Sequence, residues 1–138
     1  MCAPNRRHFV VGTVASFAAG RAVAAPPQHE LFVKAAFAMR ARAVESGDQA
    51  YGAVIVRNGD LIGAGPSRVI MKNDPNAHAE REAIKDAQAA MNRTDLSDCL
   101  LYSTSRPCQD CERAAAQARI ARMYFGRDAA DGGAPQLR

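Results

Sequence analysis

The sequence predicts an α/β domain with a mixed β-sheet layered with helices. Two apolar runs flank an Asn-Gly dipeptide, a strong hairpin signal, and so predict an antiparallel pair. A strand, a helix and another strand follow, and a crossover of this length requires its two strands to pair in parallel. The 138 residues amount to one domain.

The first predicted elements of the domain are a helix and the hairpin. Residues 26–28 are expected to form a linker. The stretch from Glu30 then has apolar residues at helical spacing, and Gly47 should end this helix. The apolar runs 51–57 and 60–65 are the two strands of the hairpin.

The second half alternates helices and strands. A loop leads into "NAHAEREAIKDAQAAM", an alanine-rich helix for which Asn76 is the N-cap candidate. "CLLYSTS" is nearly continuous in apolar residues, which indicates a strand buried on both faces. After Pro107, "CQDCERAAAQARIA" predicts a helix and "RMYFG" a fourth strand, whereas the tail from Arg127 has no periodic pattern.

Residues 1–24 have the layout of a signal peptide. Arg6 and Arg7 precede a mildly apolar run over 9–20, and the small residues 22–24 suit a cleavage site. The paired arginines are typical of twin-arginine export, which predicts a periplasmic or secreted protein. The apolar run is too short for a permanent membrane span, so no stable membrane association is expected. A buried N-terminal helix or a frayed tail is the alternative.

Removal of the leader would change both the charge and the cysteine count of the remaining domain, 25–138. The leader holds three of the 18 basic residues and no acidic ones, which leaves 15 Lys and Arg against 14 Asp and Glu. A nucleic-acid partner is therefore not expected. Cys2 would also be lost, which leaves three cysteines, Cys99, Cys108 and Cys111. An odd number of cysteines argues against a disulfide framework.

His78, Cys108 and Cys111 supply the donor set of a catalytic zinc site. Such a site uses three protein ligands from thiolate sulfur and imidazole nitrogen and leaves the fourth position to water. The two cysteines, three apart on a first helical turn, can reach one ion, and the helix dipole is expected to lower the pKa of both thiols. Glu80, two residues after His78, cannot share its direction and is predicted to move protons beside the metal.

Two motifs in combination identify a family. His78-x-Glu80 followed by Pro107-Cys108-x-x-Cys111 reproduces the signature of zinc-dependent nucleobase deaminases. The chain thus resembles the cytidine and deoxycytidylate deaminase superfamily, and "NDPNAHAE" with "GAVIV" is most similar to its guanine deaminase and tRNA adenosine deaminase branch. The resemblance covers about residues 30–126. It implies a cytidine deaminase-like three-layer α/β/α sandwich, a Zn²⁺ cofactor and a homodimer.

The resemblance also implies a reaction and the residues that perform it. A water activated at zinc would replace the amino group of a purine base or nucleoside, with guanine as the first expectation, and release ammonia. Glu80 would transfer the protons, and the backbone N–H of Cys108 would polarise the attacking oxygen. Ala79 would line the base pocket through its backbone. Ser67 occupies the position at which relatives commonly place a substrate-contacting Asn.

Several alternatives stay open at the level of sequence. The substrate could instead be cytosine, cytidine, adenine or adenosine, or the domain could be a catalytically inactive zinc-binding module. A structural zinc site would need Cys99 or His29 as a fourth ligand, and the two motif cysteines could instead be a redox pair. Tyr51 could pack in the core or stack on a substrate base. Arg106 stands where relatives often have Glu, and the chain ends soon after the fourth strand.

Overall fold

The computed structural model describes residues 26–138 and shows a five-stranded mixed sheet with three helices. The elements are α1 (Pro26–Glu45), β1 (Gly52–Arg57), β2 (Asp60–Pro66), α2 (Ala79–Met91), β3 (Cys99–Ser103), α3 (Gln109–Gln117), β4 (Arg122–Phe125) and β5 (Ala130–Gly133). The leader predicted for residues 1–24 lies outside the described residues. Within 26–138, no helix is both long and apolar enough to cross a membrane.

The strand pairing follows the predicted pattern. The sheet order is β2-β1-β3-β4-β5, with β1 antiparallel to β2 and β3, and β3 parallel to β4. Asn58 and Gly59 both have positive φ, at 49° and 83°, as a tight hairpin turn of the primed type requires. The predicted hairpin and the parallel crossover are both confirmed.

The two faces of the sheet bury separate cores. Along β1, Ala53 and Ile55 point into the core beneath α2 and α3, whereas Val54 and Val56 point into the core beneath α1. Alternate residues of a strand face opposite sides, so a strand covered on both sides must be apolar throughout. The three-layer α/β/α sandwich is thereby confirmed.

Two glycines bring α2 into direct contact with β2. A Cβ on Gly65 would lie 2.3 Å from the carbonyl oxygen of Ala79, and one on Gly63 would lie 2.6 Å from that of Ala83. These distances are too short for any side chain, and only glycine allows the two backbones to approach so closely. The first turn of α2 is consequently fixed against the end of β2.

The predicted linker at 26–28 is wrong, because α1 already begins at Pro26. Proline lacks only a backbone N–H, and the first N–H groups of a helix have no partner inside it. Prolines are therefore compatible with the first turn, where the structure places them.

The predicted N-cap of α2 is also wrong. The N-cap is His78, whose backbone is extended with φ of −63° and ψ of 151°, and the helix begins at Ala79. Asn76 lies in a preceding turn, in which its backbone N–H donates to Oδ1 of Asp74 at 2.8 Å. The turn that begins at Asp74 thus includes Asn76 and Ala77, which the alanine-rich pattern assigns to the helix. His78 is therefore the last extended residue before the helix.

No pattern in the sequence predicts β5. This strand, "ADGG", pairs antiparallel with β4, and an ion pair of 2.8 Å joins Asp131 to Arg122. Its residues are mostly exposed, so it shows no apolar alternation. The strand is defined instead by backbone hydrogen bonds to β4, and such bonds do not depend on which side chains the strand carries.

Candidate metal centre and catalytic cavity

Three side chains converge as a metal-binding group. Nδ1 of His78 lies 3.4 Å from Sγ of Cys111 and 3.7 Å from Sγ of Cys108. All three donor atoms lie within 4.8 Å of one another. In a tetrahedral zinc site with ordinary bond lengths, the nitrogen and a sulfur are about 3.6 Å apart. The spacing therefore fits one zinc ion.

The donors stand where two helices begin. His78 is the N-cap of α2 and Cys108 the N-cap of α3, and neither side chain bonds to its own helix. Cys111 lies in the first turn of α3 and is 1% exposed, whereas Cys108 is exposed. An N-cap residue has extended backbone, so its side chain can point away from the helix it precedes. Both capping side chains are thus available to a metal.

The expected lowering of the Cys111 pKa by the helix dipole is wrong for the metal-free protein. Burial first, and the neighbouring Glu80 carboxylate second, raise the pKa of this thiol. Loss of solvation disfavours the charged thiolate, and a negative charge nearby disfavours it further. A cation bound at this position would supply the missing stabilisation, as a zinc site requires.

Within the part of the chain that the structure describes, no fourth protein ligand joins the group. Among residues 26–138, the only cluster of three or more potential donors is the one formed by His78, Cys108 and Cys111. His29 instead forms a 2.6 Å hydrogen bond with the hydroxyl of Tyr102, and Cys99 is fully buried at the start of β3. The two candidates for closing a structural site are therefore placed elsewhere. A three-ligand set with an open position is typical of catalytic zinc.

Glu80 is buried beside the donor group. Its side chain is 4% exposed, and Oε1 accepts a 2.6 Å hydrogen bond from Oγ of Ser103. Sequence reasoning missed Ser103, the last residue of β3. A hydroxyl at the end of an apolar strand, four residues before Pro107 of the Pro-Cys motif, was the available signal. The hydrogen bond holds one carboxylate oxygen, which leaves Oε2 for proton exchange.

A cavity of about 330 Å³ opens onto His78 and Cys108 of the donor group and onto Glu80. Tyr51 is 46% exposed and belongs to the wall of this cavity, so of its two predicted roles the core position is wrong. Arg106 also contributes to the wall, with its guanidinium 5.8 Å from the ring centre of Phe125. The full lining is Gln49, Tyr51, His78, Glu80, Ser105, Arg106 and Cys108.

Two predicted substrate residues do not line the cavity. Ser67 is 1% exposed, and its hydroxyl donates to Oδ1 of Asp48 at 3.0 Å. The structure therefore corrects its assignment as a contact to the base. Ala79 is fully buried, with its carbonyl oxygen against Gly65. The predicted backbone role of Ala79 stays a prediction.

Asp48 joins the cavity wall to the segment before His78. Its Oδ1 accepts the backbone N–H of Gln49 at 2.8 Å as well as the Ser67 hydroxyl. Its Oδ2 accepts the N–H groups of Ile70 and Met71 at 3.1 and 2.9 Å. One nearly buried carboxylate thus satisfies four donors and adds side-chain links between two loops that a backbone hydrogen bond from Ser67 N–H to the Tyr51 carbonyl also joins.

A second carboxylate holds the same segment to α2. Oε2 of Glu82, buried on the helix, accepts from Arg68 at 2.8 Å and from Lys72 at 2.9 Å. Burial tends to raise the pKa of Glu82, but the hydrogen bonds from Lys72 and Arg68 outweigh it and lower the pKa. The loop that carries His78 is therefore restrained from both sides.

The chain is similar in sequence to known deaminases. The cytidine and deoxycytidylate deaminase zinc-binding region matches residues 26–127. A guanine deaminase of Bacillus subtilis is 38% identical over 104 residues, which are 75% of this chain and 67% of that protein. A tRNA-specific adenosine deaminase of Aquifex aeolicus is 40% identical over 96 residues, 70% of this chain and 64% of that protein.

Solved structures agree with these matches. The crystal structure of the Bacillus subtilis guanine deaminase has a TM-score of 0.68 at 37% identity, and the match covers 71% of this chain and 63% of that one. A structure from a study of tRNA A34 deaminases has a TM-score of 0.69 at 34% identity, with 71% and 75% covered. The chain spans about two thirds of the length of the curated relatives it matches.

Replacing either cysteine of the donor group should remove the metal. We expect Cys108→Ala and Cys111→Ala to lose stoichiometric zinc, measured by atomic absorption. At free zinc about 1,000 times the dissociation constant, bound metal should raise Tm by about 10 °C or more, because only the folded state holds it.

Cys99→Ala is the matched control for this prediction. Cys99 is fully buried outside the donor group, so its replacement should cost some stability and leave one zinc per chain. Zinc retained at wild-type stoichiometry by Cys108→Ala and Cys111→Ala would contradict the assignment.

Proposed function

Because this chain belongs to the cytidine and deoxycytidylate deaminase family, we propose that it is a zinc-dependent hydrolytic deaminase. The proposed substrate is an amino-purine base or nucleoside, with guanine first. One observation carries the proposal. A buried carboxylate, Glu80, lines the same cavity as His78 and Cys108 of the three-donor group, and this group has no fourth protein ligand among residues 26–138.

The residues divide the chemical work. Zinc held by His78, Cys108 and Cys111 would lower the pKa of a water molecule towards neutrality. Glu80 accepts a proton from the attacking water and delivers it to the ring nitrogen beside the amine-bearing carbon. The C–O bond forms first. The remaining proton of the added hydroxyl then passes through Glu80 to the amino group, the C–N bond breaks, and ammonia leaves.

Two further groups assist Glu80. Ser103 keeps its hydrogen bond to Oε1 throughout, so that proton transfers occur at Oε2. The backbone N–H of Cys108 has no acceptor within residues 26–138 and lies at the entrance of α3. It is therefore able to donate to the oxygen that gains negative charge during attack.

The choice of substrate rests on the relatives and on charge. The similarity to a guanine deaminase favours guanine, and the similarity to tRNA-specific adenosine deaminases keeps adenine and adenosine as the second candidates. Cytosine and cytidine follow from the family alone. A tRNA substrate is less favoured, because residues 25–138 carry 15 basic against 14 acidic side chains and phosphate contacts need a basic surface.

Ammonia release is the direct test of the proposed function. Zinc-loaded protein would be incubated with guanine, adenine and cytosine, each as base and as nucleoside, and with an adenosine-containing tRNA anticodon stem-loop. Release from guanine above all others is the expected result. Stoichiometric zinc without turnover on any of them would identify an inactive zinc-binding module.

Glu80→Ala should separate metal binding from catalysis. We expect the variant to retain zinc and lose about 10²–10⁴-fold in kcat, because a proton-transfer group is removed while the three ligands remain. Glu45→Ala, at an exposed position of α1, serves as the control. A zinc-loaded Glu80→Ala protein with wild-type kcat would refute the mechanism.

We also propose a homodimer. Ile70 and Met71 are 60% and 62% exposed in the segment that leads to His78, while their N–H groups are bound to Asp48. Light scattering should give twice the mass of the chain, and Ile70→Glu should halve it. A fully active wild-type monomer would contradict this proposal.

We further propose that residues 1–24 direct export by the twin-arginine route. This route carries folded proteins, so zinc could protect Cys108 and Cys111 from oxidation before they reach an oxidising compartment. The double replacement Arg6→Lys and Arg7→Lys should leave zinc-loaded protein in the cytoplasm, measured by fractionation. Arg21→Lys keeps the pair and should be exported normally. Undiminished export of the double variant would show that the paired arginines have no such role.

A further inference from the structure

We propose that the side-chain amide of Gln49 selects the substrate by binding the edge of its heterocycle. The inference rests on the proposed deaminase function and adds a specificity residue to the same cavity. Gln49 lies in the cavity wall together with His78 and Glu80. Its position follows a helix and precedes β1, in a loop that the sequence motifs do not include.

The backbone of Gln49 is fixed at both of its polar groups. Its N–H donates to Oδ1 of Asp48 at 2.8 Å, and its carbonyl oxygen accepts the N–H of Tyr51 at 2.8 Å. Asp48 is in turn held by donors from the 67–71 segment. The Cα of Gln49 is therefore positioned by contacts that do not involve its side chain.

The amide of Gln49 has no hydrogen-bond partner among residues 26–138 and is exposed at the wall of the cavity. It is also the only carboxamide side chain in the cavity lining that the structure describes. A side chain on a rigid backbone, with its polar atoms uncommitted, is suited to bind a ligand. The contrast is Ser67, whose hydroxyl is buried and already bound to Asp48.

A carboxamide matches the chemistry of the proposed substrates. It presents one acceptor oxygen and two N–H donors, and an amino-oxo heterocycle has neighbouring donors and acceptors along its edge. Tyr51, in the same wall, can contact the face of the ring but has only one hydroxyl to offer an edge. The structure therefore assigns edge recognition to Gln49, and the class of ligand is a planar heterocycle with adjacent donor and acceptor atoms.

Three replacements of Gln49 test this assignment. Gln49→Ala removes the amide and should raise KM for the preferred base by about tenfold to a hundredfold with little change in kcat, because binding is lost equally in ground and transition states. Gln49→Glu keeps the size and the acceptor but loses the donors, so it should change the order of preference among guanine, adenine and cytosine. Gln49→Asn should recover part of the KM.

Gln117→Ala and Gln117→Glu are the matched controls. Gln117 is an exposed glutamine at the end of α3, on a groove that shares no residue with the catalytic cavity. These variants should keep the wild-type KM and order of preference. Zinc content and Tm are measured for every variant, since a merely structural role for Gln49 would lower Tm and kcat without reordering the substrates.

The outcomes distinguish this inference from the proposed function. If the wild type is active, and Gln49→Ala and Gln49→Glu keep its KM and its order of substrate preference, the role of Gln49 is refuted and the proposed function stands. If the wild type deaminates nothing, the proposed function fails, and calorimetric binding of guanine to zinc-loaded protein becomes the test. A guanine affinity that is weakened about tenfold or more in Gln49→Ala, but unchanged in Gln117→Ala, would support the assignment. Equal guanine affinity in the wild type and both variants would overturn it.

Discussion

The close contact between α2 and β2 is the constraint on which the site depends. Gly63 and Gly65 have no Cβ, so the helix backbone lies directly on the strand, and α2 starts one residue after His78. A helix held at a greater distance would carry His78 and Glu80 away from α3. The metal group therefore depends on two small residues that contribute no functional atom of their own.

The same contact explains why the site is buried on one side and open on the other. Glu80 and Cys111 face the core between α2, α3 and the sheet, where both are nearly inaccessible to solvent. His78 and Cys108 cap their helices at the edge of this core and line the cavity. A metal here would have protein behind it and the cavity in front. Gln49 and Tyr51, from the loop that contains Asp48, contribute a further part of the cavity wall.

Much of this arrangement could be predicted from sequence, because it depends on local patterns. The Asn-Gly turn, the apolar strand β3 and the spacing of His78, Cys108 and Cys111 each have a signal within a few residues. Other features depend on contacts between distant residues. Ser67 is directed to Asp48 and Ser103 to Glu80 by tertiary packing, and β5 exists only as the neighbour of β4. A periodic pattern also cannot predict that α1 starts at a proline pair or that the pKa of Cys111 is raised. Both depend on the surroundings of the residue in the fold and not on the spacing of residue types along the chain.

The central claim is that three side chains of this chain hold one zinc ion and leave a position open for water. X-ray absorption at the zinc edge of the purified, zinc-loaded protein tests it most directly. We expect two sulfur neighbours at about 2.3 Å and two nitrogen or oxygen neighbours at about 2.0 Å, one of them from solvent. In Cys111→Ala the signal of two sulfurs should be lost. A shell of three or four sulfurs in the wild type would contradict the account.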